Sequence, residues 1–300
     1  MASRVYNQTF RMTKNRPFLG IAYFIAASFQ TAAVEAVTKY LTDEMHALQI
    51  VCGYFTAIAF FLLLYAAIVR MPLHQIYVTG RPGLQFLRAA SMVLTLGTLF
   101  AGLKYIPLAD ATAITFSAPL IITALSAPIL GEKVGIHRWS AVVVGMAGVL
   151  IIIQPGDATM HWAVLLPLAA AVGFAIFQIV TRQLAYTEAA FVTLLYTSAG
   201  GALMSSVLMM LVWTPLDVRQ TAILLGIGAL GAGAHVCFFR AFVFAQASFV
   251  APFNYVKLIW VTAFGYMLFG DIPASHVILG SGVIIASGLY VLMRERRRAS

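Results

Sequence analysis

Apolar segments of roughly membrane-spanning length recur from Phe18 to the end of the chain, and this recurrence limits the fold more than any motif does. A helix that crosses the hydrocarbon core of a bilayer needs about 20 residues. Segments of that size fall at 18–41, 46–69, 82–103, 107–130, 138–154, 161–182, 188–213, 219–241, 247–270 and 274–293. "RMPLHQ", "GEKVGIHR", "QPGDATMH", "WTPLDVR" and "GDIPASH" mark five of the joins with charge, proline or glycine. The joins after 103 and after 241 are faint, because "GLKYIPLAD" and "FRAFVFAQAS" carry little polarity. Ignoring them leaves eight very long segments. An apolar helix of about 45 residues, rising 1.5 Å per residue, would overshoot the bilayer about twofold. Ten spans is therefore the expectation.

Composition agrees that lipid is the solvent. The chain is 61% hydrophobic and 10% charged, against roughly a quarter charged in soluble proteins. A net charge of +9 raises nucleic acid as a partner, but eight basic residues sit in the tails: Arg4, Arg11, Lys14, Arg16, Arg294, Arg296, Arg297 and Arg298. No basic patch with interleaved aromatics exists, so the bilayer is the expected partner and nucleic acid is not. The basic start, apolar run and "AAS" at 26–28 loosely imitate a secretory signal. Later segments repeat the same pattern, so the first is read as a retained span. Cys52 and Cys237 lie in apolar runs without metal-ligand spacing and read as small buried hydrophobes. No metal and no cofactor is expected.

Loop charge sets the expected orientation. With the N-terminus in the cytoplasm and ten alternating spans, 14 basic residues fall inside: the eight tail residues, Arg70, Arg81, Lys133, Arg138, Arg182 and Arg240. Only 3 fall outside, Lys39, Lys104 and Arg219. Cytoplasmic loops carry the excess of Lys and Arg in membrane proteins, so both termini are expected to be cytoplasmic. The connections are too short to hold a soluble catalytic domain.

The two halves echo one another. "EAVTKYLTDE" (35–44) resembles "QIVTRQLAYTE" (178–188), and "SAPILGEKVGIHRWSAVVVGMAGVLII" (126–152) resembles "GYMLFGDIPASHVILGSGVIIASGLYVL" (265–292). Five spans per half is an odd number, so the second copy enters the membrane inverted. Inverted repeats are typical of transporters, with the substrate site near mid-membrane between the copies. Pro119, Pro128 and Pro252 fall in the fourth and ninth segments, where they read either as packing kinks or as breaks that free carbonyls to line a cavity. The expected organisation is a tail at 1–17, repeats at 18–154 and 161–293, and a basic tail at 294–300. The fold class is all-α, ten transmembrane helices in two inverted five-helix repeats around a central cavity.

"PLADATAITFSAPLIITALSAPILGEKVGIHRW", followed by "VVVGMAGVLIIIQPG", resembles EamA-type permeases of the drug/metabolite transporter superfamily. "AQASFVAPFNYVKLIWVTAFGYMLFGD" is similar to a degenerate second copy, with Asp271 in place of a glutamate. The resemblance implies a cavity lined mainly by the third, fourth, eighth and ninth spans. "LRAASMVLTLGTLFAGLKYIPLADATAI" is closer to the branch that holds riboflavin and S-adenosylmethionine uptake permeases than to amino-acid exporters.

Ionisable groups inside spans are functional candidates. Lys257 lies about 15 Å along the ninth segment at 1.5 Å per residue, too deep to reach an interface easily. It reads either as a cavity residue that holds acidic or carbonyl groups, or as half of a buried ion pair. Asn254, one turn earlier, shares its face, flanked by Phe253. Glu35 is the one carboxylate clearly within a span; burial favours the neutral form of such a group, so it is the proton-coupling candidate. Its alternative is a pair with Lys39, one turn on. Arg88, six residues into the third segment, either snorkels to the inner surface or contacts substrate. Asp110 suits a helix N-terminus, while Glu132 and Asp271 suit turns or inter-helix pairs. His235, Gln178, Phe116 and Tyr255 complete the candidate lining. An aromatic cavity with one cation and a few amides suits a flat, partly polar organic solute.

The expected function is a secondary transporter of a small organic metabolite in a bacterial inner membrane, with uptake of riboflavin or a similar cofactor-like solute foremost. Export of amino acids or other metabolites is the alternative, and self-association is left open. A membrane-embedded enzyme is disfavoured, because Gly-x-Ser-x-Gly, His-Glu-x-x-His and paired intramembrane aspartates are all missing. No catalytic residue is expected.

Overall fold

A computed structural model describes residues 16–72, 77–130, 135–155, 161–185, 187–245 and 250–299. Glu132 and the start of the ninth segment at Ala247 lie outside them. The described residues are helical, with no strand among them. In chain order the α-helices are α1 (Pro17–Leu41), α2 (Ala47–Ile68), α3 (Pro82–Leu103), α4 (Leu108–Thr115), α5 (Ala118–Leu130) and α6 (Ile136–Ile153). They continue with α7 (Leu165–Leu184), α8 (Ala190–Met209), α9 (Val218–Phe244), α10 (Val256–Phe264) and α11 (Ser275–Ala299). Eight helical stretches are long and apolar enough to cross a membrane, and the shorter apolar stretches Phe253–Phe269 and Ser275–Val291 follow them.

Local chemistry sets the boundaries. Proline opens α1 and α3, where its fixed φ and missing N–H cost nothing. Asp217 and Gln220 form a reciprocal capping box at the start of α9. Both faint joins are real. Lys104–Pro107 separates α3 from α4, and α9 stops at Phe244.

The fourth and ninth segments depart from single helices. The fourth breaks at Phe116–Ser117 into α4 and α5. Pro119 has no N–H to continue the ladder and sits in the first turn of a new helix instead. The ninth is a 3₁₀ turn at Ala251–Tyr255, then α10, then a π-helical turn at Gly265–Phe269 closed by Gly270 at φ +71°. Only glycine takes that left-handed conformation without cost. The last helix runs on to Ala299, through the basic stretch read from sequence as a tail.

Polar contacts sort the connections into two ends. At one, Lys39 donates to Ile106 O, Arg219 meets Glu44, Gln49 Nε2 donates to Thr214 O, and Tyr105 stacks on His161. At the other, Arg16 N donates to Phe244 O, Gly80 N to Glu188 Oε1, and Tyr196 Oη to Tyr77 O. These contacts put the α1–α2, α3–α4, α6–α7 and α8–α9 connections in one set, and the α2–α3 and α7–α8 connections and the end of α9 outside it. The closest helix pairs are α1 with α9, α3 with α7, α2 with α8 and α6 with α11.

Ile50, Phe100, Leu103 and Leu108 are fully buried in the main core. A second cluster joins Ile114, Val149 and Ile284 of α4, α6 and α11. Phe60, Val143, Leu203 and Leu279 face outward, which suits a chain whose surroundings are hydrocarbon. At Gly148 of α6 an added Cβ would lie 2.9 Å from Gly280 O of α11, and at Gly280 it would lie 2.6 Å from Gly148 O. The two backbones therefore lie close together, with Ile152 and Ile284 beside the contact.

Candidate functional site

Two charge centres lie within the bundle. The first joins α1, α4 and α10. Glu35 is 6% exposed, deep in α1. Lys257 Nζ donates to its Oε1 at 2.5 Å, and Thr112 Oγ1 donates to its Oε2 at 3.1 Å. Short α4, launched after Pro107, holds Thr112 against the carboxylate. Lys257, the second residue of α10, follows directly on the 3₁₀ turn that contains Asn254. The cation expected at this depth therefore faces an acid from the other half of the chain.

One turn along α1, Lys39 does not pair with Glu35. Its ammonium donates to Ile106 O at 2.9 Å and to Asp271 Oδ2 at 3.0 Å, and lies 5.1 Å from the centre of the Phe269 ring. Asp110 occupies the first turn of α4, as its acidic character suggests, and its Oδ1 is buried without a partner.

The second centre is Arg88 on α3. It does not snorkel: it is 4% exposed. Nε donates to Thr181 Oγ1 at 2.8 Å, and Nη1 donates to Thr193 O at 2.8 Å and to Thr197 Oγ1. The guanidinium carbon stands 4.3 Å from the centre of the Phe177 ring, a cation–π contact of the kind arginine makes readily. Neutral acceptors on α7 and α8 thus pull the side chain inward, which outweighs the route to the surface. A small cavity adjoins the guanidinium, lined also by Tyr54, Phe177, Ser198 and His235. It has room for a water molecule.

The remaining sequence candidates are dispersed. His235 lines the Arg88 cavity. Phe116 is buried and meets Tyr255 edge-on at 5.5 Å. Phe253 packs against Phe24, Ala241 and Val250 instead. Asn254 is half-buried. Gln178 is exposed on α7 while its neighbour Phe177 faces Arg88; one residue is about 100° of helix rotation. Sequence reasoning did not single out Thr112, Thr181, Thr193, Thr197, Phe177 or Tyr54. Thr181 had a signal, since it stands in the repeated Val-Thr-Lys/Arg stretch. The others are ordinary residues of apolar runs.

Comparison with known proteins bears out the resemblance. Residues 18–154 match the EamA-like transporter family. A protein of Rickettsia prowazekii named an S-adenosylmethionine uptake transporter is 25% identical over 94% of this chain and 95% of its own length. A riboflavin transporter of Vibrio cholerae is 26% identical over 95% of this chain and 97% of its own length. A pseudopaline exporter of Pseudomonas aeruginosa is 27% identical over 93% and 97% respectively. A solved crystal structure, 17% identical, aligns with a TM-score of 0.60 over 96% of this chain and 100% of its own, a likeness of fold alone.

Proposed function

We propose that this chain, an EamA-like transporter through residues 18–154, carries a small organic metabolite across a bacterial inner membrane by alternating access. The observation that carries the reading is the Glu35–Lys257 pair: charges from opposite halves meet inside an apolar bundle, where ionisable groups are kept for function. A latch of that kind can open when the halves separate. The solute class that suits the relatives is a cofactor-like molecule such as riboflavin or S-adenosylmethionine. Relatives named for uptake and for export match over equal lengths, so export remains the second reading.

The architecture proposed is ten crossings in two inverted five-helix repeats, with both termini cytoplasmic. The grouping of the described connections into two sets supports it. So do the helix pairs, because exchanging the halves turns the α1–α9 pair into the α7–α3 pair and leaves α2–α8 and α6–α11 matched to themselves. Glu35 is proposed as the proton-coupling group: a proton on its carboxyl would cancel the charge that holds Lys257 and loosen the latch. Purified protein in proteoliposomes, given labelled riboflavin or S-adenosylmethionine with and without a proton gradient, tests the reading. Accumulation that Glu35→Gln makes insensitive to pH is expected. No protein-dependent movement of either solute in either direction would reject the proposed solute class.

A further inference from the structure

Arg88 differs from Lys257, Lys39 and Arg219. Lys257 faces Glu35, Lys39 faces Asp271 and Arg219 faces Glu44. Arg88 is almost completely buried, yet its bonds go only to two threonine hydroxyls and a backbone carbonyl. No carboxylate among the described residues lies within ion-pair distance of it. Three of its five N–H donors are spent, and the two on Nη2 have no acceptor among the described residues. One turn earlier on the same face of α3, Gln85 is 1% exposed with both amide atoms unpartnered.

A full charge in an apolar bundle is costly unless an opposite charge reaches it. Here the guanidinium is fixed in advance by Thr181, Thr193 and Thr197 and backed by Phe177, with its free edge at a cavity. That arrangement is a preformed fork for a planar anion. The cavity has room for a water molecule, so one oxygen of a carboxylate would take that place, with the hydroxyl-bearing Tyr54 and Ser198 and the imidazole of His235 around it. It is too small for a whole metabolite, so the body of the solute would lie outside it.

We propose that the Arg88 pocket seats the carboxylate of the transported solute, so that the cargo is an amino acid-like or other carboxylate-bearing metabolite and not a neutral one. The proposal rests on the transporter reading and narrows it. Among the solutes named for relatives it favours S-adenosylmethionine, which carries a carboxylate, over riboflavin, which does not.

The test separates the pocket from the transport reading. Full-length protein in nanodiscs is melted with sodium formate replacing sodium chloride at fixed ionic strength, and in parallel with formamide, the neutral isostere. Formate is expected to raise the melting temperature by about 2 °C or more, as any ligand of the folded state does, while formamide leaves it unchanged. Arg88→Gln is expected to abolish the formate shift. Arg88→Lys, which keeps the charge but loses the planar fork, is expected to retain less than half of it and decides the matter should the glutamine variant fail to fold. Equal shifts from formate and formamide, an unchanged formate shift in Arg88→Gln, or a full shift in Arg88→Lys would each overturn the proposal. In proteoliposomes, S-adenosylmethionine is expected to compete for transport at least tenfold better than its methyl ester. An Arg88-dependent formate shift without movement of any offered solute would count against the transport reading while the anion pocket stands.

Discussion

A single proton or methylene decides a great deal at Glu35 and Lys257. Glu35→Gln leaves the ammonium without its counter-charge, and Lys257→Met leaves the carboxylate without its own. Each is expected to cost about 3–5 kcal/mol, the loss typical of stranding one member of a buried pair. The double variant is expected to lose less than the sum of the singles, because the residues share one interaction. Thermal unfolding of the three variants in detergent checks this, and additive losses would mean that the pair is not coupled. At the exposed link between α1 and α2, the hydrogen bond from Arg219 holds the Glu44 carboxyl below its ordinary value of 4.5. A carboxyl depressed on folding contributes stability above its unfolded value and loses it as pH falls through the folded one. Glu44→Gln should therefore melt slightly below the parent at neutral pH, with the gap closing as pH falls below the ordinary carboxylate range and narrowing with salt; a gap constant with pH would contradict this. Sequence showed which charges are buried, because their place in apolar runs is visible. It did not show who meets whom. Lys39 lies one turn from Glu35, yet takes Asp271, 232 positions away, since partner choice follows from how helices rotate against each other.

Helices α6 and α11 meet through glycine, and that contact is the most exposed to substitution at the scale of elements. Gly148→Val would drive a side chain into Gly280 O, and backbone cannot yield as a side chain can. Overpacking of this kind costs about 1–3 kcal/mol, so the variant is expected to melt several degrees lower, while Gly282→Ala on open space in α11 should not. Equal melting of the two would show that α6 and α11 separate freely. The long helices were legible from apolar length and from proline, aspartate and glycine at their ends. The breaks inside the fourth and ninth segments were not. Proline at 119 reads equally as a kink or as a fresh start, and only the packing of α4 beside α10 and α7 selects the second.

The molecule as a whole is expected to place its loops on alternating sides of the membrane. Reporter fusions after Pro155 and at the C-terminus are expected to report the outer and inner faces respectively, given the 14-to-3 division of basic residues. Both reporters on the same face would reject the inverted repeat. At this scale the expectation comes from sequence, since loop charge and an odd-numbered repeat speak about topology without any contact being known. The Arg88 pocket was the least legible, because α2, α3, α7, α8 and α9 all contribute to it. The glycine seam between α6 and α11 has one more consequence. Backbone meets backbone there, and Ile152 of α6 and Ile284 of α11 flank the contact, so sliding one helix along the other would drive an isoleucine into the opposite backbone. The seam therefore works as a ratchet tooth, and α6 and α11 are expected to travel as one piece.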